Sequence, residues 1–234
     1  MLRKKWETAG LVLLAVLILA LLPSSPRVME VTGVWPSLGI IYKGDEGVVL
    51  TFNVTIGDDS VLWLAEELRR TGIEKATFFL DPSWVDRKKK IADQLKAYGY
   101  DIGIYDLHPA RYEGLSEKEM DEHIAELVAF FHEHELSPDY YRTADGLLNE
   151  EVVRRLREQD LLVVSHEVTG EALLEEEDQS YNGAVVSLDV VNDEKELKQR
   201  WTEWRSALER TDDLRYVSVL ELLASSDSKI KLLE

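Results

Sequence analysis

Short, continuously apolar stretches alternating with segments of helical periodicity constrain this chain more than any other feature. Residues 48–52 (VVLTF), 76–80 (ATFFL), 161–165 (LLVVS) and 184–188 (AVVSL) read as strands with both faces covered. Residues 100–105, 140–142 and 216–219 (YVSV) read as further short strands. Between them, residues 60–70 repeat apolar side chains at Val61, Leu64, Ala65 and Leu68, one face of a helix. Helices are also predicted over 84–98, 116–134, 149–158 and 194–208, and Ser116-x-x-Glu119 is a capping box for the third of the five. Strands lacking polar alternation need helices on both sides, which points to a parallel sheet in an α/β fold. About seven strands in this length fit a small β/α barrel, whose chemistry gathers where strands end. Those ends carry Asn53, Asp81, Tyr105-Asp106, Arg142, His166-Glu167 and Asp189.

The N-terminus has a different character. Arg3-Lys4-Lys5 precedes the apolar run 9–22, and no clear small-x-small cleavage site follows it. This predicts an uncleaved signal anchor that leaves the domain outside the cytoplasmic membrane, with secretion after cleavage as the alternative. The expected organisation is an anchor and start of tether over 1–28, a linker over 29–40, one domain over 41–225 and a tail over 226–234. The absence of cysteine excludes a disulfide framework, a thiolate zinc site and a cysteine nucleophile. A formal charge of -18 excludes a phosphate-backbone binder and suits a cationic, metal-bridged or neutral ligand.

Five segments, in order, resemble the polysaccharide deacetylase (NodB-homology) family. They are Asp45-Glu46-Gly47-Val48-Val49-Leu50-Thr51-Phe52, Gly72-Ile73-Glu74-Lys75-Ala76-Thr77-Phe78-Phe79-Leu80, Tyr98-Gly99-Tyr100-Asp101-Ile102-Gly103, Tyr141-Arg142-Thr143-Ala144-Asp145-Gly146, and Leu214 through Leu223. The spacing after Asn53 is nearest to the membrane-anchored, sporulation-associated branch. The resemblance implies a distorted β/α barrel and metal-dependent removal of N-acetyl groups from cell-wall glycan. In that family an Asp and two His hold a divalent metal, usually zinc. A second Asp takes a proton from the bound water, an Arg orients that Asp, and a His protonates the leaving amine.

This chain departs from the pattern. Asn53 stands where the base is expected, and an amide accepts no proton near neutral pH. The metal histidines align with Tyr105 and Pro109, with His108 one residue away, and the acid histidine aligns with Leu188. The candidate catalytic positions are therefore Asn53, Arg142 and Asp189. Asp58, Asp59 and His108 are the candidate metal ligands, although Asp58-Asp59 also reads as a helix cap. Tyr105, Tyr141 and His166 are candidate glycan contacts, with Tyr112 and Tyr140 as further stacking rings. Trp201 and Trp204 read as packing, the Arg87-Lys88-Lys89-Lys90 run as a solvated face, and His123, His132 and His134 as helix surface. The expectation is a pseudoenzyme without bound metal that recognises wall glycan or an envelope protein. The alternative is a deacetylase with zinc in a variant site.

Overall fold

The computed structural model describes residues 39–108, 112–144, 148–175, 179–224 and 229–232. The parallel strands are β2 (Val49–Val54), β3 (Thr77–Leu80), β4 (Asp101–Asp106), β5 (Tyr140–Thr143), β6 (Leu162–Val163), β7 (Val168–Thr169) and β8 (Val185–Asp189). They form one sheet in the order β6-β5-β4-β3-β2-β8-β7. Helices α1 (Asp59–Arg70), α2 (Pro82–Ala97), α3 (Glu117–Glu133), α4 (Glu150–Glu158), α5 (Gly170–Glu175) and α6 (Glu194–Leu208) connect and cover the strands.

The connection between the two edge strands decides the shape. Laid flat, seven strands would put β6 and β7 about 29 Å apart. Yet only four residues separate Val163 from Val168, a reach of about 18 Å at most. The sheet must therefore curl, and 162–169 is in effect one bent run that pairs with β5 at its start and β8 at its end. Strand β1 (Gly39–Lys43) spans this seam at the base, where Ile41 O accepts from Ser165 N at 2.7 Å and Lys43 bridges Ala184. The result is a distorted β/α barrel.

Alternation along each strand sorts the side chains into two apolar bodies. Leu50, Phe52, Phe78, Ile104, Tyr141 and Leu188 face the helices, with Leu64, Leu68, Trp201 and Trp204 packed over them. Val49, Phe79, Tyr105, Tyr140, Val164 and Val185 fill the lumen. Helix α7 (Val219–Ala224) adds Val219 and Leu222 to that lumen cluster.

Helix starts follow local chemistry. Ser116 and Glu119 form the expected capping box, while Asn149 and Asp193 accept from the backbone N–H three residues on. Two expectations change at the C-terminus. Residues 216–219 are not a strand: Tyr216 makes a single bridge to Val48, and α7 begins at Val219. Ser218 and Glu221 exchange side-chain and backbone hydrogen bonds there, a second capping box, which favours the helix. Within 226–234, read as a tail, β9 (Lys229–Leu232) pairs antiparallel with β1. The apolar run 9–22 lies outside the described residues. Among those described, no helix is long and apolar enough to cross a membrane.

Candidate functional site

The C-terminal mouth of the barrel holds a closed polar network. Thr51 and Asn53 project inward from β2, Arg142 from β5, and Ser187 and Asp189 from β8, with Asn53 opposite Asp189 in register. Arg142 is 3% exposed. Its Nε donates to Val164 O at 3.0 Å and Nη2 to Ser165 O at 2.9 Å. Nη1 reaches Thr51 Oγ1 at 2.7 Å, Asn53 Oδ1 at 3.0 Å and Ser187 Oγ at 3.2 Å. The other end of the Asn53 amide donates to Ser187 Oγ at 2.9 Å and Asp189 Oδ1 at 2.8 Å. A flipped amide would aim its NH₂ at the guanidinium, so the network fixes this orientation.

The electrostatics follow from these partners. Each hydrogen-bond acceptor of Arg142 named above is neutral. Burial brings its pKa down to about 9, against the opposing pull of Tyr105 and Asp189, so the guanidinium stays charged at neutral pH. Its lower face rests on the Phe79 ring, 4.1 Å from the centroid. Gly103, opposite Phe79 in register, leaves that ring its place: a Cβ there would lie 2.6 Å from ring carbons. His166 is exposed but close enough to feel both charged groups. Desolvation lowers its pKa, Arg142 lowers it further, and Asp189 opposes them.

The structure brings Asn53, Arg142 and Asp189 into one hydrogen-bonded chain, with His166 nearby. Leu188, aligned with the acid histidine, is buried on the helix side of β8, whereas Asp189 reaches the mouth. It also corrects the stacking rings. Tyr141 is fully buried on the helix side, donating to Asp106 Oδ2 at 2.7 Å, and burial drives its hydroxyl pKa well up. Tyr105, Tyr112 and Tyr140 are likewise buried, at 8%, 4% and 1% exposure, so none offers an open ring face. These rings fill cores instead.

Asp58, Asp59 and His108 are not gathered. Among the described residues no three His, Asp or Glu side chains form a metal-holding group. Asp58 makes no side-chain cap bond and pairs with Lys88 of α2 instead. The backbone N–H of His108 donates to Asp106 Oδ1 at 2.8 Å. Two members of the basic run are engaged in ion pairs, Lys88 with Asp58 and Lys89 with Asp93. Trp201 and Trp204 are core residues, as their spacing predicts.

A model of the polysaccharide deacetylase family matches residues 42–164, more than half of the chain. The chain belongs to the polysaccharide deacetylase family. No curated protein sequence matches it. Among solved structures it is similar to a CE4 family pseudoenzyme from Bacillus anthracis, with 19% identity, a TM-score of 0.65, and 83% of this chain and 72% of that one covered. A mutant of that pseudoenzyme is described as having restored enzymatic activity. It is also similar to the Bc1960 peptidoglycan N-acetylglucosamine deacetylase, with 16% identity, a TM-score of 0.66 and coverages of 82% and 96%. The chitin deacetylase of Colletotrichum lindemuthianum gives 15% identity, a TM-score of 0.64 and coverages of 82% and 94%.

Within the polysaccharide deacetylase family, these positions do not fit the divalent metal that the resemblance implies. The family's paired acids fall on Asn53 and Val54, and Val54 is fully buried with no donor atom. A dication at this mouth would meet the Asn53 amide and the Arg142 guanidinium charge, with Asp189 as the single carboxylate of the network. Thr51 and Ser187 were not singled out from sequence. Their signal is the polar-apolar-polar pattern Thr51-Phe52-Asn53, matched on the neighbouring strand by Ser187-Leu188-Asp189.

Proposed function

We propose that this chain is a non-hydrolytic member of its family, a module that binds the amino-sugar glycan of the cell wall at the barrel mouth without a divalent metal. The supporting observation is Asn53. Hydrolysis needs a base to take a proton from water, and the residue in that place is an amide held by Arg142 on one side and Asp189 on the other. Arg142 orients an amide where the family's Arg orients a carboxylate. Exposed Ile56 and Leu107, on loops leaving the same end of the barrel, give the mouth apolar rims suited to sugar faces. Solved relatives described as a pseudoenzyme and as a peptidoglycan deacetylase support both halves of the reading. The basic cluster before residues 9–22 supports a tether that holds the domain outside the membrane.

The test uses the detergent-solubilised full chain, incubated with zinc and then desalted. We expect less than one ion retained per chain, no acetate released from peptidoglycan or N-acetylated chito-oligosaccharides, and retention on purified wall glycan. Asn53→Asp alone should release none either, because Val54 and Leu188 supply neither ligand nor acid. Acetate release by the unmodified chain, abolished by a chelator, would overturn the proposal.

A further inference from the structure

Resting on that reading, we infer that the mouth is selective for sugars carrying a free ammonium, the deacetylated units of an amino-sugar glycan, with Asp189 as their recognition residue. The argument is an inventory of donors and acceptors. Both Asn53 amide hydrogens are committed, one to Ser187 and one to Asp189, and its carbonyl oxygen is held by Arg142. Arg142 is 3% exposed and bonds to Thr51, Ser187, Asn53 and two backbone carbonyls, so burial closes its guanidinium off from the entrance. These two residues, the donors an acetyl carbonyl would need, are therefore turned inward. What the network presents outward is an acceptor. Asp189 is exposed, one of its oxygens is held by Asn53, and its second has no hydrogen-bond partner among the described residues.

His166, beside it, has its pKa lowered by desolvation and by Arg142, which disfavours a competing positive charge at the entrance. An ammonium carries three donors and a charge opposite to that of Asp189, and an N-acetyl group carries one donor and no charge. The formal net charge of -18 favours the same class at longer range.

The test compares a glucosamine oligomer with the N-acetylglucosamine oligomer of equal length, titrated into the full chain at pH 5.5 and low salt. The glucosamine oligomer should bind about tenfold more tightly or better. Asp189→Asn should remove that preference, whereas Glu203→Gln on α6, which alters net charge equally, should keep it. Equal or tighter binding of the acetylated oligomer would overturn the inference and leave glycan binding standing. A preference that survives Asp189→Asn assigns it to net charge and also overturns the inference. Binding of neither oligomer would remove the glycan reading itself. The comparison on the unmodified chain decides the matter even if Asp189→Asn folds poorly.

Discussion

Asn53 couples a buried cation to an exposed anion through a neutral amide, and that position controls what any substitution there can do. In Asn53→Asp, one carboxylate oxygen faces Arg142, while the other meets Asp189 across what had been a 2.8 Å N–H···O bond. Two carboxylates at that range do not both ionise cheaply, so the folded pair holds a proton above the usual carboxylate range. A pKa raised by folding stabilises the fold at low pH, and that stabilisation is lost as pH rises through it. Asn53→Asp should therefore cost about 1–3 kcal/mol at pH 8 and recover toward the parent near pH 5, as read by chemical denaturation. The double variant with Asp189→Asn should lose the pH dependence. A cost larger at pH 5 than at pH 8 would refute this account. Asn53, Arg142 and Asp189 were legible in the sequence because each ends or nearly ends a strand. The burial of Tyr141 was not, since one residue of register decides whether a ring faces lumen or helices.

At the scale of elements, the helices end in one recurring way with two kinds of residue. Ile73 N and Tyr100 N bond back to Leu68 O and Leu95 O past Gly72 and Gly99, both with positive φ. Leu136 N and Leu161 N make the same bond past Glu135 and Asp160, at φ 58° and 60°. A left-handed conformation costs a residue with a Cβ about 1–2 kcal/mol, less for Asp, and glycine gives part of that back through its freer unfolded chain. Glu135→Gly should raise stability by about 0.5–1 kcal/mol in chemical denaturation, and Asp160→Gly by less. A loss of stability in Glu135→Gly would contradict the cap geometry. Helices were the most legible elements, because caps and apolar spacing are local signals; the predicted span of α6 coincides with the observed one. The α7 start was missed because a four-residue β-rich string outweighed Ser218-x-x-Glu221.

For the molecule as a whole, acidity has a structural cost at the base of the barrel. Burial raises the pKa of Asp101 at the start of β4, and Asp139 and Glu221 raise it further; burial raises Asp139 too. Folding thus disfavours the ionised form of Asp101, a penalty complete above its folded pKa and absent below its unfolded one. Asp101→Asn should raise the melting temperature at pH 7, with the gain shrinking as pH falls toward the ordinary Asp range. A gain that grows on acidification would invert the sign and exclude this origin. Barrel closure itself was only partly legible. The strand repeat announced a covered parallel sheet, but the bend at Glu167 that lets one run serve both edges has no glycine or proline to mark it.

The pairing of β2 with β8 carries a kinetic consequence. Asn53 and Asp189 are 136 residues apart in the chain, so their contact needs the largest loop closure at the mouth. Arg142, on the opposite side of the lumen, adds a second demand, since it meets Asn53 only once the sheet has curled. The mouth therefore belongs to the last stage of folding, after the local strand-helix units have formed. A ligand held there stabilises the completed barrel over every partly assembled form.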